Sequence, residues 1–214
     1  MRTLLAAALA ALAGAGLPGG SPPAGPGQYV VRLDPRLCPA PLCGGYWVAL
    51  ANRARTACHD GLRRPRCYAA RAVDGERHPL EAPLPEGALA RAELEAWSFE
   101  GFGRLGVLVV HGLRRPAGRT PGGTFYRVRD LGARCGRAPC FPLRAVHLNG
   151  RSRSALSAID LDPAGLEPQE REAAEAELRS RAGLVAAGTV AETRRGGRVL
   201  RVARVYLRAP QPRA

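Results

Sequence analysis

The sequence predicts an α+β fold, mostly antiparallel sheet, built from two related β-β-β-α-β units packed as one body. Three observations predict it. Tyr29-Val30-Val31-Arg32 leads to Cys38, Cys43 and Asn52, and the same order returns as Tyr126-Arg127-Val128-Arg129, Cys135, Cys140 and Asn149. Between 28–52 and 125–149 six of 25 positions agree without a gap, and the chain has only six cysteines. Two of them falling twice in a C-x4-C frame mark an internal duplication. Short β-rich runs closed by Gly, Pro, Asn or Asp recur throughout, and each copy holds one stretch of helical period.

In the first unit, 28–123, strands are expected over 28–33, ended by Asp34-Pro35, over 44–50, where Tyr46, Trp47 and Val48 favour β structure, and over 67–73. A polar loop over 51–66 separates the last two. Pro85-Glu86 opens an expected helix in which Ala90, Leu94 and Trp97 fall at i, i+4 and i+7, ended by Gly101 to Gly106. The apolar run 107–112 is the next strand. In the second unit, 124–210, strands are expected over 124–129, 143–148 and 155–161. A helix over 168–181 has Glu170 and Glu172 early and Arg179 and Arg181 late, as the helix dipole prefers. Strands over 184–190, matched to 108–114, and 199–207 complete the unit. Residues 53–66 have no full counterpart in the second copy, and a loop varied on a fixed frame is where function often sits.

Residues 1–15 read as a secretory signal peptide: Arg2, an apolar run from Leu4 to Leu12 too short to span a bilayer, then Ala13-Gly14-Ala15. No cysteine follows that run, so no lipid anchor is expected. Residues 16–27 read as a flexible Pro/Gly leader, and no later segment is apolar enough for a transmembrane helix. Export to an oxidising compartment turns six cysteines into three disulfides. The two-cysteine second copy points to Cys135–Cys140, by analogy Cys38–Cys43, and Cys58–Cys67 by remainder; pairing between the copies stays open.

All 32 basic residues are arginine, and the formal net charge is +14. A field of that sign attracts anions, including acidic envelope components. Aromatic residues are 5% of the chain and do not interleave with the arginines, so a stacking platform for single strands, and any specific nucleic acid partner, is not expected. The sequence focuses possible anion binding on Arg194, Arg195, Arg198, Arg204 and Arg208, because Arg198, Arg204 and Arg208 at even spacing would share one strand face.

Nothing points to a catalytic constellation. Cys58-His59-Asp60 with Cys67 lacks the paired close spacing of structural zinc, and no G-x-S-x-G elbow is present. Gly101-x-Gly103-x-x-Gly106 precedes a strand where a dinucleotide fingerprint must follow one. On a helix, Glu93 and Glu95 would point to different faces. No metal, cofactor or catalytic residue is therefore expected.

The strand ending in Arg32-Leu33-Asp34, then Cys38-x4-Cys43-Gly44-Gly45-Tyr46-Trp47-Val48, then Cys58-His59-Asp60-Gly61 and Cys67-Tyr68, resembles a bacterial family of exported proteins and lipoproteins known only as a domain of unknown function. The resemblance covers 28–112 and, more weakly, 124–207. It implies secretion and disulfides and brings no activity. The reading that follows is a secreted or periplasmic, non-catalytic binding or structural module of the cell envelope. The alternatives are an extracellular hydrolase with a site between the units, or a disulfide-braced inhibitor presenting loop 53–66.

Overall fold

Alternation of apolar and polar side chains carries about half of the described residues into strands. A computed structural model describes residues 25–119, 122–134, 136 and 138–208. The signal peptide, most of the leader, residues 209–210 and Cys135 lie outside the described residues. The strands are β1 (Gly27–Leu33), β2 (Tyr46–Leu50), β3 (Thr56–Ala57), β4 (Arg63–Arg64), β5 (Cys67–Ala69), β6 (Arg71–Asp74), β7 (Leu89–Phe99), β8 (Gly103–Ala117), β9 (Thr124–Asp130), β10 (Leu143–His147), β11 (Arg153–Leu156), β12 (Ala158–Asp160), β13 (Leu184–Glu192) and β14 (Arg198–Arg208). A 3-10 turn, Asp162–Ala164, and helix α1, Pro168–Arg179, precede β13.

The fold is mostly antiparallel β, not α+β, and two β-β-β-α-β units are not what it contains. The stretch from Pro85 expected to be helical is instead β7, an eleven-residue strand paired to β1 and β8. Ala90, Ala92 and Leu94 alternate with Arg91, Glu93 and Glu95, so the strand period was present beside the helical one. Ala, Leu and Glu favour helix by propensity, but pairing on both edges of the strand overrides it. Among the described residues α1 is the one α-helix. A capping box between Glu167 and Glu170, with Pro168 in the first turn, starts it, and its buried Ala174 with Ala173 and Leu178 packs onto the second-half core.

One sheet runs in the order β11-β10-β9-β13-β14-β8-β7-β1-β2-β5, and its pairing repeats about its centre. Tyr29 pairs with Leu50 as Tyr126 pairs with His147. The β7–β8 ladder carries a bulge between Arg91 and Ala92, and the β13–β14 ladder carries one between Ala187 and Gly188. In each case the strand following the hairpin supplies the extra residue, His111 or Ala203. β6 runs parallel to β8 as β12 runs parallel to β14. At the centre, Arg114 faces Arg208 and Pro116 faces Tyr206, so a local dyad passes through Arg115 and Leu207. This register matches β13 with β7, not with β8 as the sequence suggested; the misread helix displaced that correspondence by one strand. Gly188 tolerates no side chain, since a Cβ there would lie 2.1 Å from the Arg201 carbonyl oxygen.

The sheet curls until its two halves meet at the starts of β1 and β9. Asn149 Oδ1 accepts the Gln28 N–H at 2.8 Å, and its Nδ2 donates to the Gln28 and Ala51 carbonyls at 2.7 and 2.9 Å. Asn52 returns the same bonds to the other half: Phe125 N–H at 2.8 Å, Phe125 O at 2.7 Å and Leu148 O at 3.1 Å. Both asparagines hold a positive φ, 59° and 52°, a conformation asparagine tolerates better than most residues. Inside the curl lies an apolar cluster of Ala51, Leu89, Leu148, Val185, Ala187 and Tyr206, with Val30 and Phe125 against it. Two larger cores flank it, one per half.

Candidate functional site

The concave face that carries the inner cluster also carries charge. Residues directly opposite in a ladder, or two apart along a strand, share a face. From Leu89 and Val185 the registers place Arg91 on β7, Arg114 on β8, Arg127 and Arg129 on β9, and Arg204 and Arg208 beside Tyr206 on β14. Arg32 follows Val30 on β1. Seven arginines thus rim one concave surface.

Five of them form a cluster around Arg127. The residue is exposed, and its guanidinium is only partly shielded from water. That partial burial, with the charges of Arg114, Arg129, Arg91 and Arg208, holds its pKa below the ordinary arginine value. It stays charged all the same, because the guanidinium is too basic to give up its proton near neutrality. Among the described residues one carboxylate is bonded to this group. Glu177, near the end of α1, takes Arg114 Nη1 on Oε2 at 2.5 Å and the Arg208 backbone N–H on Oε1 at 2.8 Å. The Arg114 and Glu177 side chains are 14% and 15% exposed.

A groove lies at the other end of the concave face. Its first part, about 590 Å³, is lined by Arg32, Leu33, Pro35, Arg36, Trp47, Arg66 and Glu86. A second part, about 340 Å³, shares Arg32 and Glu86 and reaches Gly87, Pro116, Arg204 and Tyr206. The Tyr206 hydroxyl is buried, with Arg204 near it but no partner in good hydrogen-bond geometry among the described residues. Burial pushes its pKa up, and the Arg204 and Arg32 charges pull against that.

Stacked side chains hold the first part in shape. Arg36 lies 5.1 Å from the Trp47 ring centre and 4.9 Å from that of Tyr68, and Arg66 lies 5.7 Å from Trp47. Asp34, whose side chain is fully buried, takes Arg36 Nε at 2.9 Å and Trp47 Nε1 at 3.2 Å. The Arg36 hydrogen bond, with that from Trp47, holds the Asp34 carboxyl below the usual carboxylate range.

The residues singled out in the sequence are dispersed by the structure. Arg204 and Arg208 lie on the concave face. Arg198 does not join them, because the bulge at Ala203 reverses the alternation: Leu200 and Val202 share the second-half core with Val205 and Leu207. Arg194 and Arg195 occupy the turn before β14, roughly 30 Å from Arg208 at the usual rise per strand residue. Cys38–Cys43 and Cys58–Cys67 are bonded, with Cα separations of 5.3 and 5.4 Å. Cys140 is disulfide-bonded as well, and Cys135 lies outside the described residues. Loop 53–66 is mostly exposed but anchored at its middle: Thr56 and Cys58 are buried, and His59 packs against Gly106. Gly101 and Gly103, with positive φ, turn the β7–β8 hairpin, and a Cβ on Gly106 would lie 2.5 Å from the Tyr68 carbonyl oxygen.

Glu93 and Glu95 are two apart on a strand, so they share a face, contrary to the helical reading. Glu93 faces His111 at 3.5 Å. Glu95 takes Trp97 Nε1 at 2.9 Å and Arg77 at 3.0 Å, and these two, Trp97 first, hold its pKa low. Both of its oxygens are thereby engaged. A glycosidase needs two carboxylates across a cleft; among the described residues the groove holds Glu86 alone. Nor does any group of three or more His, Cys, Asp or Glu among the described residues come together as metal ligands do. Among the same residues no helix is long and apolar enough to cross a membrane.

A family model matches residues 27–211, that of the Domain of unknown function (DUF6748). No curated protein and no solved structure matches the chain.

Proposed function

The chain belongs to the DUF6748 family, and we propose that it is an exported, non-catalytic module of the bacterial cell envelope that binds anionic polymers on its concave arginine face. The observation that carries this reading is the cluster of Arg91, Arg114, Arg127, Arg129 and Arg208, to which Glu177 is the one carboxylate bonded among the described residues. Like charges held together on a fixed sheet raise the free energy of the empty protein. An anion lowers it, so the frame is organised in advance for a polyanion. The two disulfides and the apolar run at Leu4–Leu12 support export. We read 28–123 and 124–210 as two units of one body, supported by the matching registers and the paired asparagines.

Retention on immobilised heparin across a salt series tests the reading. Arg127/Arg129/Arg208→Ser should elute at clearly lower salt than wild type. Arg194/Arg195/Arg198→Ser, which removes equal charge at the far hairpin, should elute close to wild type. Equal loss from both triple variants would show that net charge alone is at work, and the concave site would fall.

A further inference from the structure

Resting on that reading, the groove at the Arg32 end narrows the class of polymer. Arg32 and Arg66 make no hydrogen bond and no ion pair within the described protein, and both line the groove. Arg66 lies over the Trp47 ring at 5.7 Å, and its guanidinium N–H groups, with no partner among the described residues, are left for a ligand. Arg36, by contrast, spends its edge on Asp34 and on the Leu42 carbonyl.

Glu86 stands among these arginines without pairing to any of them. One of its oxygens takes the Leu33 N–H at 2.7 Å, which fixes the carboxylate in the groove and leaves the other oxygen as an acceptor. A carboxylate in that place repels a ligand that is anionic along its whole length. It favours one that can donate a hydrogen bond beside its acid group. The remaining surface, Leu33, Pro35 and the partly exposed Trp47, suits a C–H face. Acid group, adjacent hydroxyl and apolar ring face together describe a carboxylated sugar. Phosphate chains supply the first alone.

We propose that this groove binds residues of a carboxylated, uronic-acid-type polysaccharide, with a sugar carboxylate on Arg32 and Arg66 and a sugar hydroxyl donating to Glu86. The two groove parts, about 590 and 340 Å³ and sharing Arg32 and Glu86, give room for more than one sugar ring.

Calorimetric titration with trigalacturonate, maltotriose and tripolyphosphate provides the test, with circular dichroism to verify that each variant is folded. All three residues to be changed are exposed, so folding should survive. Wild type should bind trigalacturonate more tightly than tripolyphosphate and should not bind maltotriose. Arg32→Ser/Arg66→Ser should lose at least tenfold in affinity for trigalacturonate. Glu86→Gln keeps an acceptor for Leu33 N–H; it should weaken trigalacturonate several-fold, strengthen tripolyphosphate and so abolish the preference. Unchanged trigalacturonate binding by Arg32→Ser/Arg66→Ser, or a wild type that prefers tripolyphosphate, overturns this proposal. The reading of a polyanion-binding face would then still stand on the Arg127/Arg129/Arg208 variant. If wild type is retained by no polyanion, that broader reading fails with it.

Discussion

Replacing Glu177 by glutamine removes the one carboxylate set against the arginine cluster and changes little in shape. The amide oxygen of the new side chain can still accept the Arg208 N–H, so that bond, worth about 1 kcal/mol, is retained. Arg114 loses its ionic partner and keeps only the Tyr206 carbonyl at 2.9 Å. Breaking a buried ion pair by removing one member costs ~3–5 kcal/mol. These side chains retain about one seventh of their exposure, which places the expected cost toward the lower end, ~2–3 kcal/mol. For a chain of this size that is a fall in Tm of about 5–10 °C. Arg114→Met/Glu177→Gln should recover much of the loss, since no unpaired guanidinium is then left in place, and the coupling from the double-mutant cycle should exceed ~1 kcal/mol. Sulfate should stabilise Glu177→Gln more than wild type, because the vacated position lies among arginines. Urea denaturation of the four proteins, with and without sulfate, is the assay. A Glu177→Gln stability within ~0.5 kcal/mol of wild type, the range of an ordinary surface change, would refute the reasoning.

Two further outcomes follow from other parts of the frame. Asn52→Asp and Asn149→Asp should each destabilise by ~2–4 kcal/mol, because each replaces an amide donor to two carbonyls with a carboxylate facing them; similar urea midpoints for the two variants would fit the dyad, and a loss from only one would argue against it. Asp34 has a folded pKa below its unfolded one, so the stability it contributes is present above the unfolded value of about 3.9 and lost as pH falls through the folded one. Asp34→Asn should therefore flatten the acid limb of a urea-midpoint profile below about pH 4, where an unchanged limb would contradict the assignment.

Individual strands were more legible than the site. The Tyr-x-Val-Arg recurrence fell on β1 and β9, because those residues lie within the strands they mark; Asn149 was legible as a turn, but the bonds by which Asn52 and Asn149 join the halves were not, because their partners are distant in sequence. β7 was not legible: Ala90, Leu94 and Trp97 satisfy the helical period while Ala90, Ala92 and Leu94 satisfy the strand period, and only the partners β1 and β8 decide between them. That choice also hid the common face of Glu93 and Glu95. The arginine cluster comes from four strands of both halves, so no local window contains it, and the bulge at Ala203 undoes the even spacing that had linked Arg198 to Arg204.

The dyad adds a stronger argument than composition could. The registers equate Val30 with Arg127, Ala187 with Arg91, Tyr206 with Arg114, Gly112 with Arg204 and Pro116 with Arg208; of the concave arginines only Arg32 and Arg129 occupy equivalent positions. A mere arginine-rich background would scatter charge over both members of such pairs alike. Here one member is apolar or small and the other is arginine; Val30, Ala187 and Tyr206 belong to the inner cluster and the arginines rim it. The two mouths of the concave face differ accordingly. One is an arginine cluster with Glu177, from the end of α1, in contact; the other is an open groove in which the Arg32 and Arg66 side chains, beside Glu86, have no ionic partner among the described residues. A chain that only needed solubility would gain nothing from concentrating its repulsion on the concave side, where fixed charges lie closest together. The asymmetry between equivalent positions, more than the net charge, is what supports the proposed binding on that face.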